Sequence, residues 1–182
     1  MNFPNKLLLA FFAIMAINLA HAETAALIDA NVEKAMTAFR ASVKDADEFL
    51  AAGKGVLVIP QVKKAGLIVG AQWGEGALQI NGKPAAYYKM KAGSVGFQAG
   101  YQEAHYLFIF LTQESLDKFR RSKGWDAGVE GGVTLMSDSI GFSADTLKGK
   151  AAVIAFIYGK EGLMGGGSLK GQKLTKFTPG TK

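Results

Sequence analysis

The sequence predicts a single α+β domain: a curled, barrel-like antiparallel β-sheet with an N-terminal amphipathic helix and one further short helix. Three observations carry this. A helical apolar stripe fills the first part of the chain after its leader. Short strand-like runs with brief connections fill most of the rest, and glycines recur at intervals of four along several of them. Tight hairpins join antiparallel neighbours, whereas parallel ones need long crossovers, and the helices are too few for an alternating wound fold.

The helix comes first, over Thr24 to Ala52. Ile28, Val32, Met36, Phe39, Val43, Ala46 and Leu50 follow one another at steps of three or four, which lines them up on one helical face. Asp29, Glu33, Lys34, Arg40, Lys44 and Asp45 fall mostly off that face. The stretch reads as one continuous stripe, although it could break near Ser42 to Asp45, where a second short helix could start and run to the stop at Gly53-Lys54-Gly55.

From Val56 onward the pattern is that of strands. Val56-Leu57-Val58-Ile59 reads as a buried strand ended by Pro60, followed by Gly66 to Trp73 and Ala77 to Ile80. Asn81-Gly82 is a strong hairpin turn, after which Ala85 to Met90 resumes the sheet. Gly96 to Tyr101 and the almost wholly apolar Tyr106 to Leu111 come next, the latter expected to be central. Thr112 has the character of a helix N-cap, with acid early and base late in the nine residues that follow, as the helix dipole prefers. Val129 to Leu135, Gly141 to Ala144, Ala151 to Tyr158 and Gly167 to Phe177 complete the strands.

Gly66, Gly70 and Gly74 form one row of glycines, Gly124, Gly128 and Gly132 another, and Gly96/Gly100 and Gly162/Gly166 shorter ones. On a strand such spacing leaves one face as bare backbone. Bare faces suit a sharp bend or the close approach of another backbone or a ligand. Large side chains are needed opposite them, so core packing is expected for most of Trp73, Tyr87, Tyr88, Tyr101 and Tyr106.

Residues 1–22 have the form of a secretory signal: Lys6, an apolar core from Leu7 to Leu19, and the small-x-small site Ala20-His21-Ala22. The core falls short of the roughly 20 apolar residues of a membrane span. Cleavage after Ala22 and a periplasmic or secreted location are therefore expected, leaving 160 residues, 23–182, as one domain. Cysteine is absent, which removes disulfides, thiol catalysis and an acylated N-terminal cysteine. Without Lys6, 20 Lys and Arg face 15 Asp and Glu, a net charge of +5. This basic excess favours anionic partners. In an exported protein an anionic lipid surface or acidic glycan fits better than nucleic acid.

Reactive groups are sparse. His105 is the one histidine after the leader, so histidines cannot cluster around a metal, and Glu103-x-His105 offers two ligands at most. No G-x-S-x-G elbow presents a serine to it. Gly149-Lys150-Ala151 carries alanine where a phosphate loop needs Ser or Thr, and Gly165-Gly166-Gly167-Ser168 lacks the spacing of a dinucleotide fingerprint. Asp126/Glu130 and Asp45/Asp47/Glu48 suit solvated turns. The chain is thus not expected to be an enzyme, and no cofactor or metal is implied.

The run Ala52-Gly53-Lys54-Gly55-Val56-Leu57-Val58-Ile59-Pro60, followed by Lys64-Ala65-Gly66 and Gly96-Phe97-Gln98-Ala99-Gly100, resembles the SYLF domain family. Tyr158-Gly159-Lys160-Glu161-Gly162-Leu163-Met164-Gly165-Gly166 is similar to that family's late tyrosine, lysine and glycine-leucine signature, with Glu161 where the family has lysine. The family's tryptophan-serine-x-proline turn is replaced by Asn81-Gly82-Lys83-Pro84, which keeps only the proline. The resemblance covers about Thr24 to Phe177. It implies binding of anionic membrane lipid through basic residues and an amphipathic N-terminal helix, and, in some fungal members, binding of actin.

For this chain the expected lipid-binding residues are Lys54, Lys63, Lys64, Lys160, Lys170, Lys173, Lys176 and Trp125. Each lysine near an anionic membrane contributes on the order of 1 kcal/mol. Arg120, Arg121 and Lys123 are better read as complements to a helix end. Ile28, Val32, Met36 and Phe39 either enter the bilayer interface or cover the sheet, and packing is favoured unless the helix undocks. A structural or protein-interaction role in the cell envelope, with a protein partner left open, is the alternative; a hydrolase would require His105 beside a serine and an acid.

Overall fold

The computed structural model describes residues 23–66, 69–95, 102–129, 132–137, 149–160, 162–164 and 168–180. The leader, Gly96 to Tyr101, Gly141 to Ala144, Glu130, Glu161 and Gly165 to Gly167 lie outside them. Two helices open the described chain, α1 (Ala25–Ser42) and α2 (Ala46–Ala52). Of the two readings of this stretch the broken one holds, with Asp45 at a left-handed φ of 58° between the helices. Thr24 caps α1 by accepting the Leu27 N–H at 3.4 Å, and Arg40 joins the two helices through Asp47 at 2.8 Å.

Nine strands follow: β1 (Gly55–Gly66), β2 (Val69–Ile80), β3 (Lys83–Val95), β4 (Gln102–Phe110), β5 (Trp125–Asp126), β6 (Val133–Met136), β7 (Val153–Gly159), β8 (Gly162–Leu163) and β9 (Gln172–Phe177). Helix α3 (Gln113–Arg121) stands between β4 and β5, its Thr112 cap accepting the Ser115 N–H at 3.1 Å. The strands form one curled, half-barrel sheet in the order β5-β9-β3-β2-β1-β4-β7-β6, with β8 paired to β7. The fold is α+β in a single domain, as the sequence predicts. The sheet is mixed, because β6 runs parallel to β7. The link between them is long enough for a crossover.

Each face of the sheet carries its own core. On one, α1 and α2 press Ile28, Val32, Ala35, Phe39 and Phe49 onto Val58, Leu107, Ile109, Phe156 and Tyr158. On the other, Leu116 and Phe119 of α3, with Trp125, cover Leu57, Tyr88, Met90, Phe108 and Phe110. The buried stripe of α1 runs through Ala35 rather than Met36, which is half-buried, and α2 buries Phe49 more deeply than Leu50. The amphipathic contrast expected of α1 is not established: its outer side mixes Glu33, Lys34 and Arg40 with Ala26, Ala30, Ala41 and Leu27, the last 49% exposed. Among the described residues no helix is long and apolar enough to cross a membrane.

Pro60 does not end its strand. Strand β1 continues to Gly66 through an irregularity between Val58 and Lys63, where Gln61 takes φ 50°. Proline lacks a ladder donor and is tolerated at such a bulge. The bulge also explains two bare glycine positions. A Cβ on Gly76 would sit 1.9 Å from the Val58 carbonyl oxygen, and one on Gly74 would meet Ile59 Cγ2 at 2.8 Å. What approaches these glycines is therefore the neighbouring strand of the same sheet. Gly124 and Gly128 are likewise covered from within, by the Lys173 side chain and the Lys170 backbone.

Candidate functional site

Residues directly opposite one another on adjacent strands project to the same side, and the register places one transverse row with an unusual composition. Lys63 of β1 pairs with Trp73 of β2, Trp73 with Lys91 of β3, and Lys91 with Lys173 of β9. At about 4.8 Å per strand the four backbones span roughly 14 Å. All three lysines are exposed, and Trp73 is 43% exposed. The row lies on the α1 face, beyond the part that the helix covers. Acids flank it at either end, Glu103 opposite Lys63 and Asp126 opposite Lys173.

Two residues along the same strands, Glu75 and Lys89 form an ion pair at 3.1 Å, and the Lys89 ammonium also stands 4.4 Å from the Phe177 ring centre. That lysine is committed to local structure. Between the row and the start of α1 lies a groove of about 190 Å3, bordered by Glu23, Asn31, Lys63, Trp73 and Glu75. Its chemistry suits an interfacial contact: an indole whose flat ring tolerates the boundary between water and lipid, with cations on both sides for an acidic surface.

The structure brings some of the expected residues together and separates others. Lys63 and Lys173 belong to the row. Lys64, Lys160 and Lys170 occupy the same end of the sheet, where β1 and β7 finish and β9 begins. Lys54 stands at the opposite end, its N–H bonded to the Phe110 carbonyl, beside a hollow of about 430 Å3 that Met36, Arg40, Leu50 and Gln79 help to line. Lys176 pairs with Tyr88 and so projects on the other face. Ile28, Val32 and Phe39 are fully buried against the sheet and reach no surface while α1 is docked.

Trp125 requires a correction. It is 4% exposed and packs against Phe108, Phe110 and Phe119, with ring centres 5.8, 6.1 and 5.3 Å away. Its partner on β9 is Leu174, which sets it on the inner side of the sheet. The exposed tryptophan is Trp73, one of the aromatics for most of which core packing is expected. Lys91 was likewise absent from the expected set. Both could be reached from the Asn81-Gly82 hairpin only by knowing that a one-residue shift between Leu78 and Gln79 brings Lys91, not Met90, opposite Trp73.

His105 has a structural setting. Its Nδ1 accepts the Gln61 N–H at 3.1 Å, and its ring lies 5.1 Å from that of Tyr158. Tyr158 in turn donates to the Ala35 carbonyl of α1 at 2.9 Å, and burial pushes its pKa far above the ordinary phenol value. Tyr87 is also raised, by burial and by its hydrogen bond to Asp29 at 3.1 Å. These two hydroxyls fasten α1 to the sheet.

No curated protein matches the chain significantly. Residues 91–178, from the lysine of the row to the end of β9, match the family model described as Ysc84: Las17-binding protein actin regulator. Over residues 91–178 the chain therefore matches a Ysc84 (SYLF) domain, in agreement with the family its sequence resembles.

Proposed function

We propose that this protein is a non-catalytic module of the cell envelope that docks on anionic membrane lipid through the Lys63–Trp73–Lys91–Lys173 row, after export and removal of residues 1–22. The single observation that carries this reading is the row itself: three exposed cations on one face around an exposed tryptophan. Lys160 and Lys170, which follow β7 and precede β9 at the same sheet end, extend the positive field. Docking would be peripheral, and α1 would remain on the sheet, because its apolar stripe is already satisfied by the core.

Co-sedimentation with vesicles of phosphatidylglycerol, and of phosphatidylcholine as the neutral reference, tests this. Pelleting with the anionic vesicles alone, weakened at high salt as screening requires, is the expected outcome. Failure to pellet with either removes the proposal. A second reading has one observation in its favour, the description of the matched family as Las17-binding. It makes this domain a protein-interaction element of the envelope. Stoichiometric capture of an envelope protein by the wild type, but not by a variant of the lysine row, would favour it.

A further inference from the structure

We infer that removal of the leader creates an ion pair between the new α-ammonium of Glu23 and the carboxylate of Glu75, fastening the start of α1 to β2 at the edge of the Trp73 groove. The inference rests on the processing proposed above. The Glu23 nitrogen lies 3.2 Å from Glu75 Oε2, while Glu75 Oε1 is held 3.1 Å from Lys89 Nζ. Several contacts fix that nitrogen in place. Thr24 caps α1 and bridges in parallel to Gly180, and the Glu23 carboxylate accepts from Asn31 Nδ2 at 3.4 Å. The Glu75 side chain is only 21% exposed, so water competes weakly for it.

In the precursor this nitrogen is a neutral amide. Hydrolysis of the Ala22–Glu23 bond by a signal peptidase consumes one water and leaves a carboxylate on Ala22 and an ammonium on Glu23. The hydrogen bond to Glu75 then joins two full charges, which strengthens it. A positive charge one residue before an N-cap opposes the helix dipole, and Glu75 stands where it offsets that penalty. The other charged groups around the ammonium are Lys63, which borders the same groove, Lys89, bonded to Glu75, and the carboxylate of Glu23 itself. Processing thus adds a cation beside Lys63 and Trp73 that the precursor lacks.

The test is to express the full-length chain in a Gram-negative host, purify the exported protein, read its N-terminus by intact mass, and titrate the 13C-methylated α-amine by NMR. The expected result is an N-terminus at Glu23 and an α-amine that titrates above the ordinary range of about 7.7 to 8.0. In Glu75→Gln it should fall by about one unit relative to the wild type. Lys89→Gln, which frees Glu75 for the amine, should not lower it, and it supplies a second variant if Glu75→Gln fails to fold. A wild-type amine in the ordinary range overturns the ion pair alone. An N-terminus elsewhere overturns the pair and the proposed cleavage together. Vesicle pelleting is read separately, so neither result is confused with failure of lipid docking.

Discussion

Replacing Lys63, Lys91 and Lys173 together by glutamine removes three charges from one side of the sheet without touching either core. At about 1 kcal/mol for each lysine near an anionic surface, the loss is about 3 kcal/mol, or roughly 100-fold in vesicle affinity. Lys173 stands opposite Asp126 and lays its stem over Gly124, so its share is smaller, and a loss of about 30- to 100-fold is expected. Stability should change by no more than about 0.5 kcal/mol per site, because all three are exposed. The control is Lys54→Gln with Lys83→Gln. Lys54 lies roughly 25 Å from Lys63 along β1, beyond two Debye lengths at physiological salt, and this pair should cost less than about threefold. Titration with phosphatidylglycerol vesicles at two salt concentrations measures both. Equal losses from the two variants, or a triple variant within threefold of wild type, would refute placement of the docking surface at the row.

The chain has two tryptophans, one exposed and one buried. Vesicle binding should therefore blue-shift the emission of Trp73 alone, and Trp73→Phe should abolish the shift while Trp125 continues to report a buried indole. Gly76→Ala should destabilise the protein by about 1–3 kcal/mol or more, measured by urea denaturation, because its Cβ would collide with the β1 backbone; a neutral result would contradict the close crossing at the bulge. Alkaline stability should decline as pH rises above about 10. Unfolded tyrosine ionises there, whereas buried Tyr158 and Tyr87 have raised folded values, so their contribution is full below that pH and lost above it. Tyr158→Phe should flatten this decline and cost about 1 kcal/mol at neutral pH through the lost bond to Ala35; phenolate absorbance from Tyr158 appearing before unfolding would contradict its burial.

Much of the architecture was legible because it depends on local rules. The stripe from Ile28 to Leu50, the Thr112 cap and the Asn81-Gly82 turn each act within a few residues, and each forms the expected element. Strand β4 is flanked by β1 and β7, as its apolar run predicts. The parallel pairing of β6 with β7 was not legible, since strand direction depends on how a long connection is routed.

The site divides along the same line. Composition and spacing by themselves determined that the chain is basic, poor in catalytic groups and built as a glycine-rich sheet with helices. Which lysines act together, and which tryptophan meets solvent, was decided only by tertiary register. A shift of one residue moves a strand's side chains to the opposite face; the irregularity near Leu78 thus sets Lys91 beside Trp73, while pairing with Leu174 turns Trp125 inward. Such shifts arise from packing between strands, and no single segment encodes them.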